Sequence, residues 1–314
     1  VVTFQGASFL FGWAGDQHGT DVNARGLAVD AGLMSGEEFP RFTEFWLERP
    51  SRRDDVMVVL ALLDSKRATG AYRFAIHPGA APRVDVRARI YLRDEVSVLG
   101  LAPLGSMYFY GENDRAHDPR DWRPEVHDSD GLQIHTGSGE WLWRPLLNPQ
   151  RLLATSFATT DPRGFGLMQR DRDFANYQDL GKRLDQSPSV WVMPRGQWGA
   201  GRVELVLLPL PDPTNNNVVA FWVPETPPQP HQPHDFSYTL TWQAGAAQTR
   251  PPIAWVTQTR AYTIATSGAV PDQGWVLDFD GPDLRALDAQ AAVKAEVSSN
   301  ENGKIVAQRL VHNG

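Results

Sequence analysis

The sequence contains no cysteine, no long apolar run, little sustained helical periodicity and no excess of positive charge. Lack of cysteine excludes disulfides, thiolate nucleophiles and cysteine-ligated zinc, and leaves the cellular compartment open. No stretch approaches the roughly 20 apolar residues that a membrane-crossing helix needs, and no signal-peptide pattern is read at Val1. A net charge of −7 with a pI near 5.6 argues against nucleic acid or an anionic membrane surface as the main partner, since both select basic surfaces. No Gly-x-Ser-x-Gly elbow is present. Gly137-Ser138-Gly139 lacks the lysine and helix of a phosphate-cradling loop, so no cofactor is expected.

What the chain does have is short extended segments. Val56–Leu63 is continuously apolar, and Val84–Leu92 alternates with period two, as a strand with one wet face does. Further strands are predicted in Val1–Trp13, near Met107–Tyr110, and over Leu132–His135, Val190–Val192, Val203–Leu208, Val218–Val223 and Phe236–Trp242, with Gly-, Pro-, Asp- and Asn-rich turns between them. Two short helices are predicted. One begins at the Ser35-Gly36-Glu37-Glu38 capping box and is stopped by Pro40; the other lies in Asp283–Ala292. The pattern predicts an all-β protein built as a large antiparallel sandwich.

Gln243–Pro252 is small and polar and ends in two prolines, which suggests a linker. The expected domains are therefore 1–245 and 253–314. The second is too short for the roughly 100 residues of an immunoglobulin-type sandwich, although it offers strand-like pieces at Trp275–Phe279, Ala292–Val297 and Lys304–Val311. With a strand starting at Val1 without lead-in, both ends are expected to continue beyond the residues given.

The chemistry concentrates between Asp121 and Pro145. This stretch holds five carboxylates, two histidines, two arginines and three tryptophans, broken by Gly131, Gly137 and Gly139. Burying such a mixture is unfavourable unless each polar group has a partner, so it reads as a site. Asp128 and Asp130 share one side of an extended segment, where two carboxylates shift each other's pKa. A metal site formed by His127, Asp128, Asp130 and His135 is a weaker reading. The calcium-loop pattern fails, with Leu132 at its fifth position and Gly139 at its twelfth. In the plainest reading, the two aspartates cap a turn. Downstream, Arg170 and Arg172 either belong to a solvated ion-pair stretch or hold the hydroxyls of a polyol. Eleven tryptophans supply flat faces suited to sugar rings, although most tryptophans in a β protein fill its core.

Arg123-Pro124-Glu125-Val126-His127-Asp128-Ser129-Asp130-Gly131 and Gly139-Glu140-Trp141-x-Trp143-Arg144-Pro145 together resemble the periplasmic glucan biosynthesis proteins G and D. Arg25-Gly26-Leu27-Ala28, Gly36–Phe42, Arg67–Tyr72, Pro162–Leu167 and Val219–Trp222 extend the likeness over nearly the whole chain. The resemblance implies a periplasmic protein acting on β-1,2-glucan, with a galactose-mutarotase-like β-sandwich followed by an immunoglobulin-like domain, and with relatives longer at both ends. Members of the D type resemble anomer-inverting enzymes that hydrolyse β-1,2-glucan or transfer its chains.

In that family the aspartate matching Asp128 is the base-side residue, and the general acid lies in an Asp-Glu-Thr-x-Asp-Asn motif. This chain reads Asp212-Pro213-Thr214-Asn215-Asn216-Asn217, with Asn216 at the acid's position. An amide cannot donate the acid's proton, so the chain is expected to be nearly inactive. The near-isosteric change suggests a variant made to trap substrate; the other explanation is a natural member that has lost hydrolysis. The resemblance points to Asp128 and Asn216 as the catalytic positions. Trp122, Arg123, His127, Asp130, Glu140, Trp141, Trp143, Arg170 and Arg172 are the expected glucan-binding residues, with no metal. A homodimer is the expected self-association. The rival expectation is a non-catalytic glucan-binding scaffold.

Overall fold

A computed structural model describes residues 2–13, 22–50, 55–114, 120–245, 249–264, 272–288 and 290–312. Two antiparallel sheets form a β-sandwich. The larger has nine strands in the order Trp141–Pro145, Gly131–His135, Gly164–Met168, Ser189–Arg195, His234–Gln243, Arg83–Leu92, Ala68–His77, Met57–Asp64 and Arg41–Leu47. The eight-stranded sheet runs Val2–Gln5, Phe9–Gly12, Asn23–Arg25, Leu99–Ser106, Val218–Pro224, Ala200–Leu207 and Leu153–Thr160, with Leu27–Val29 also paired to Leu99–Ser106. One continuous core lies between them, drawing Val84, Val86, Ile90, Leu132, Ile134 and Leu240 from one sheet and Leu101, Leu104, Val203, Leu205 and Trp222 from the other. Period-two alternation along each strand puts these side chains inward and leaves its alternate residues facing out.

Tryptophan divides between core and surface. Trp222 and Trp242 are completely enclosed, whereas Trp122 remains 69% exposed. Outside the sandwich, Tyr108–Tyr110 pairs with Val126–His127, and Trp255–Ile264 forms a hairpin with Asp272–Asp280.

Several elements differ from the sequence expectation. Ser35–Glu38 is a turn instead of a helix start, because its acidic residues are used elsewhere: Glu37 binds Arg25 at 2.6 Å, and Glu38 accepts from the Arg67 amide and guanidinium at 2.8 Å. The later helix shortens to Pro282–Arg285. Ala292–Val297 and Lys304–Val311 form no strands, since neither finds an edge to pair with, and Val293, Val297, Val306 and Val311 lie exposed. Part of the predicted linker, 246–248, lies outside the described residues. Its flanks are fastened to the sandwich: the Thr249 amide donates to Gln243 Oε1 at 2.6 Å, and Gln133 Nε2 donates to the Thr249 carbonyl at 2.9 Å.

Candidate active site

The segment Ser106–Met107–Tyr108 joins two parts of the chain that are distant in sequence. On one edge it receives the 212–217 loop. The Asn217 amide donates to the Ser106 carbonyl at 3.2 Å, and the Asn217 side chain brackets Tyr108, accepting from its amide and donating to its carbonyl, both at 2.9 Å. On the other edge the Asp128 amide donates to the Met107 carbonyl at 2.9 Å, and Ser106 Oγ donates to Ser129 Oγ at 2.8 Å. Successive carbonyls of an extended chain point to opposite sides, so the backbones of Asp128 and Asn217 flank this segment roughly 10 Å apart, two strand spacings. Asn217 is buried by these bonds, and Asn216 beside it is exposed.

Below Asp128 lies a buried charge pair. His127, 1% exposed, is stacked on Tyr108 with ring centres 5.2 Å apart and meets the edge of Tyr177. Its Nε2 is 2.8 Å from Glu125 Oε2, and its Nδ1 is 3.0 Å from Gln169 Oε1. Gln169 Nε2 already donates to the carbonyls of His127 and Leu184, so its oxygen is the atom that faces the ring. Both ring nitrogens thus face acceptors, the pattern of an imidazolium. Burial disfavours that charge, but Glu125, with Asp130 and Asp171 behind it, outweighs burial and raises the His127 pKa.

The two aspartates expected to tune each other are held by different partners. Asp128, 2% exposed, accepts from Ser187 Oγ at 2.9 Å, and the Ser187 carbonyl in turn takes the Arg172 guanidinium. Asp130 Oδ2 accepts the amides of Arg170 at 2.9 Å and Asp171 at 3.0 Å, while its enclosed Oδ1 has no partner among the described residues. Burial is the main cause of its raised pKa, opposed by His127 and Arg170. The four side chains of the metal reading do not converge: His127 is fully engaged, and His135 lies flat on Trp141, ring centres 4.0 Å apart.

The expected glucan-binding residues fall into two groups. Trp122 is exposed with the Arg123 guanidinium 5.3 Å from its ring centre, and Arg123 is forked onto Asp121 at 2.9 and 2.7 Å. Glu140 is exposed in the turn that leads to Trp141, and Trp141 also stacks near Trp191. Arg170 and Arg172 are structural by comparison. Arg170 lies 3.4 Å from the ring centre of Trp143 and donates to Gln133 Oε1 at 2.5 Å and to the Val256 carbonyl. Burial lowers its pKa to about 10. Arg172 binds the carbonyls of Asp185 and Ser187, and burial lowers its pKa as well. Arg170 also borders a cavity of about 410 Å³ with Arg250, Trp255 and Arg285.

Trp143 packs on Gly131, where a Cβ would lie 2.2 Å from the indole. Gly131→Ala is expected to push Trp143 off Arg170, visible as a change in the near-ultraviolet circular dichroism of the indole and a loss of about 1–3 kcal/mol in denaturant unfolding.

Sequence reasoning missed Glu112. Its Oε1 accepts the Thr259 amide at 2.7 Å, and the Ala261 amide donates to its backbone carbonyl at 3.1 Å, so it docks the 255–280 hairpin on the sandwich. Burial, with Glu125 and Asp171 nearby, raises its carboxyl to about 7 against the pull of Thr259 and Arg260. Folding therefore favours protonated Glu112, and this contribution is full below about 4.5 and is lost as pH rises to about 7. The raised pKa of His127 acts in the same direction above 6.5. Thermal stability is expected to fall between pH 5 and 8, and Glu112→Gln to flatten the lower half of that fall; solvent screening at this partly exposed carboxyl holds its share to about 1 kcal/mol. Ser187 and Gln169 were also missed, because only the fold brings them to Asp128 and His127.

A family model described as "Periplasmic glucan biosynthesis protein, MdoG" matches residues 1–314. The chain belongs to the MdoG family. It is 54% identical over 312 residues to glucans biosynthesis protein G of Ralstonia nicotianae, covering 97% of this chain and 61% of that protein. It is 49% identical to the protein G of Pseudomonas aeruginosa PAO1 over 320 aligned positions, covering all of this chain and 61% of that one. The protein G of Pectobacterium atrosepticum is 47% identical, again with 61% of its length covered. The chain thus spans about three-fifths of these relatives' length. All three carry the G name, whereas the inverting chemistry came from the likeness to D-type members. A solved α-galactosidase of Geobacillus stearothermophilus overlays 70% of this chain and 30% of its own at 10% identity and a TM-score of 0.37, too weak a likeness to carry an argument. Among the described residues no helix is long and apolar enough to cross a membrane.

Proposed function

We propose that this MdoG-family chain acts in the periplasm on β-1,2-glucan, by an anomer-inverting attack on one glucosidic linkage held between Asp128 and residue 216. The observation that supports it is the shared anchoring of the Asp128 turn and the 212–217 loop on Ser106–Tyr108. The backbones of Asp128 and of Asn217, the neighbour of residue 216, are roughly 10 Å apart, which leaves room for two carboxyls about 6.5–9.5 Å apart with a nucleophile between them.

In this mechanism Asp128 removes the proton of the attacking hydroxyl, which belongs to water in hydrolysis or to a sugar in chain transfer. Ser187 orients the carboxylate through its hydroxyl, and the ion pair of His127 and Glu125 fixes the backbone beside it. An aspartate at 216 protonates the leaving oxygen. The asparagine present there cannot, so this chain binds glucan and turns it over poorly. Exposed Trp122, with Trp141, Glu140 and Arg123, forms the sugar-contacting wall; His127, Asp130, Trp143, Arg170 and Arg172 support it from below. Residues 1–245 form the glucan-acting domain, and 253–314 belong to an immunoglobulin-like one.

The second reading is a glucan-binding scaffold that guides chains without cutting them. Asn216 itself favours it. Prolonged incubation of the Asn216→Asp protein with linear β-1,2-glucan, followed by chain-length analysis, separates the two. Shortened or cyclised chains support the enzyme; unchanged chains that co-elute with the protein support the scaffold.

A further inference from the structure

The outer face of the nine-stranded sheet carries a second feature that the reaction at Asp128 does not use. Cross-strand register aligns Trp46, Leu60, Arg73, Arg87, Ser237 and Arg195, one from each of six adjacent strands, in a single row. The row borders a cavity of about 650 Å³, within the usual range for small-molecule sites, with Trp46 at one end and Trp198 beside Ser237 near the other.

Arg73 and Arg87 are direct cross-strand partners. At that position side chains stand roughly 5 Å apart, and like charges repel. The two carboxylates nearest the arginine pair are already engaged. Asp235 is forked by Arg89 at 2.6 and 2.7 Å, and Asp85 binds Arg195 at 2.6 Å and His77 at 2.9 Å. Neither Arg73 nor Arg87 has an ion pair among the described residues. In a chain of net charge −7, two adjacent uncompensated guanidiniums form a local excess of positive charge that a tetrahedral dianion would neutralise by forked hydrogen bonds. Trp46, 47% exposed, presents a flat face of the kind that packs on sugar rings, and Trp198 borders the groove from its packing on Trp222 and Tyr238.

We propose that this groove binds a phosphorylated saccharide, with the phosphate between Arg73 and Arg87 and sugar rings lying toward Trp46 or Trp198. The groove is separate from the Asp128 site: the strand of Gly131 is four strands from that of Arg87, about 19 Å across the sheet, and the row lies a further six residues, about 20 Å, along it. The inference goes beyond the proposed reaction and does not depend on it.

Calorimetric titration with glucose 6-phosphate, glucose and inorganic phosphate as separate probes tests this. Glucose 6-phosphate is expected to bind at least tenfold more tightly than either of the others, and less tightly as salt rises. Replacing both arginines, Arg73→Gln with Arg87→Gln, should cost at least another tenfold, whereas the double lysine variant should keep part of the affinity through its charge. Should the glutamine variant not fold, the indole N–H resonances of Trp46 and Trp198 in the unaltered protein are expected to shift on titration. Equal affinity for inorganic phosphate would overturn the saccharide assignment. Unchanged binding in the glutamine variant, or indole resonances that do not move, would overturn the location. Binding only to vesicles containing anionic phospholipid would replace the ligand with a membrane surface.

Discussion

Replacing Asn216 with aspartate is expected to raise the rate of β-1,2-glucan cleavage or transfer by ~10²- to 10⁴-fold, the usual contribution of a positioned general acid. The side chain is exposed beside buried Asn217, which holds the loop to Tyr108 and Leu208 through its own amide. Asn216→Asp therefore adds a titratable group without disturbing the anchor. The gain should appear mainly in kcat, because a proton donated only as the bond breaks does little for substrate binding. Its pH profile should acquire a descending limb as the new acid loses its proton. Adding Asp128→Asn to the Asn216→Asp protein should abolish the gain, since the two groups act in one step. Reducing-end release from linear glucan, measured for the three proteins side by side, checks all of this.

The largest stability effect is expected at Glu125. Removing its carboxylate with Glu125→Ala leaves the His127 imidazolium enclosed between Tyr108 and Tyr177 with its Nε2 unpaired. Breaking one side of a buried charge pair typically costs about 3–5 kcal/mol, most of it the penalty of the stranded charge. Glu125→Gln keeps an acceptor and should lose less. With the alanine variant the histidine should become neutral, so that the loss shrinks as pH rises through neutrality. Denaturant unfolding at pH 6 and pH 8 measures both effects.

The fold was legible where a strand alternates or is bounded by turn residues. Arg83–Leu92 and His234–Gln243 show their wet and dry faces in sequence. Gly164–Met168 did not, because two of its five residues are glycines: Gly164 and Gly166 sit beneath Trp191, and a Cβ on Gly164 would come within 2.4 Å of the indole. Periodicity cannot signal a face that has no side chain. Arg41–Leu47 was hidden for a related reason, as a sheet-edge strand with most of its residues exposed and no buried stripe to read.

The site divided along similar lines. The cluster from Glu125 to Asp130 was conspicuous by its charge density, but the roles of its members depended on partners from elsewhere. Ser187 reaches Asp128 across 59 positions, Gln169 reaches His127 across 42, and Glu112 meets Thr259 across 147. Spacing rules operate within one element and are blind to such pairs. Arg170 and Arg172 looked like ligand groups because charged residues usually face water; instead, backbone carbonyls and an indole ring hold them in place.

The most direct test of the account is the structure of this chain, with Asn216 in place, soaked with linear β-1,2-glucan. One glucosidic oxygen is expected within hydrogen-bond distance of the Asn216 side chain, with Asp128 on the opposite face of the same linkage and about 6.5–9.5 Å between the two groups. Glucan bound elsewhere, or Asp128 and Asn216 on the same face of the linkage, would contradict it.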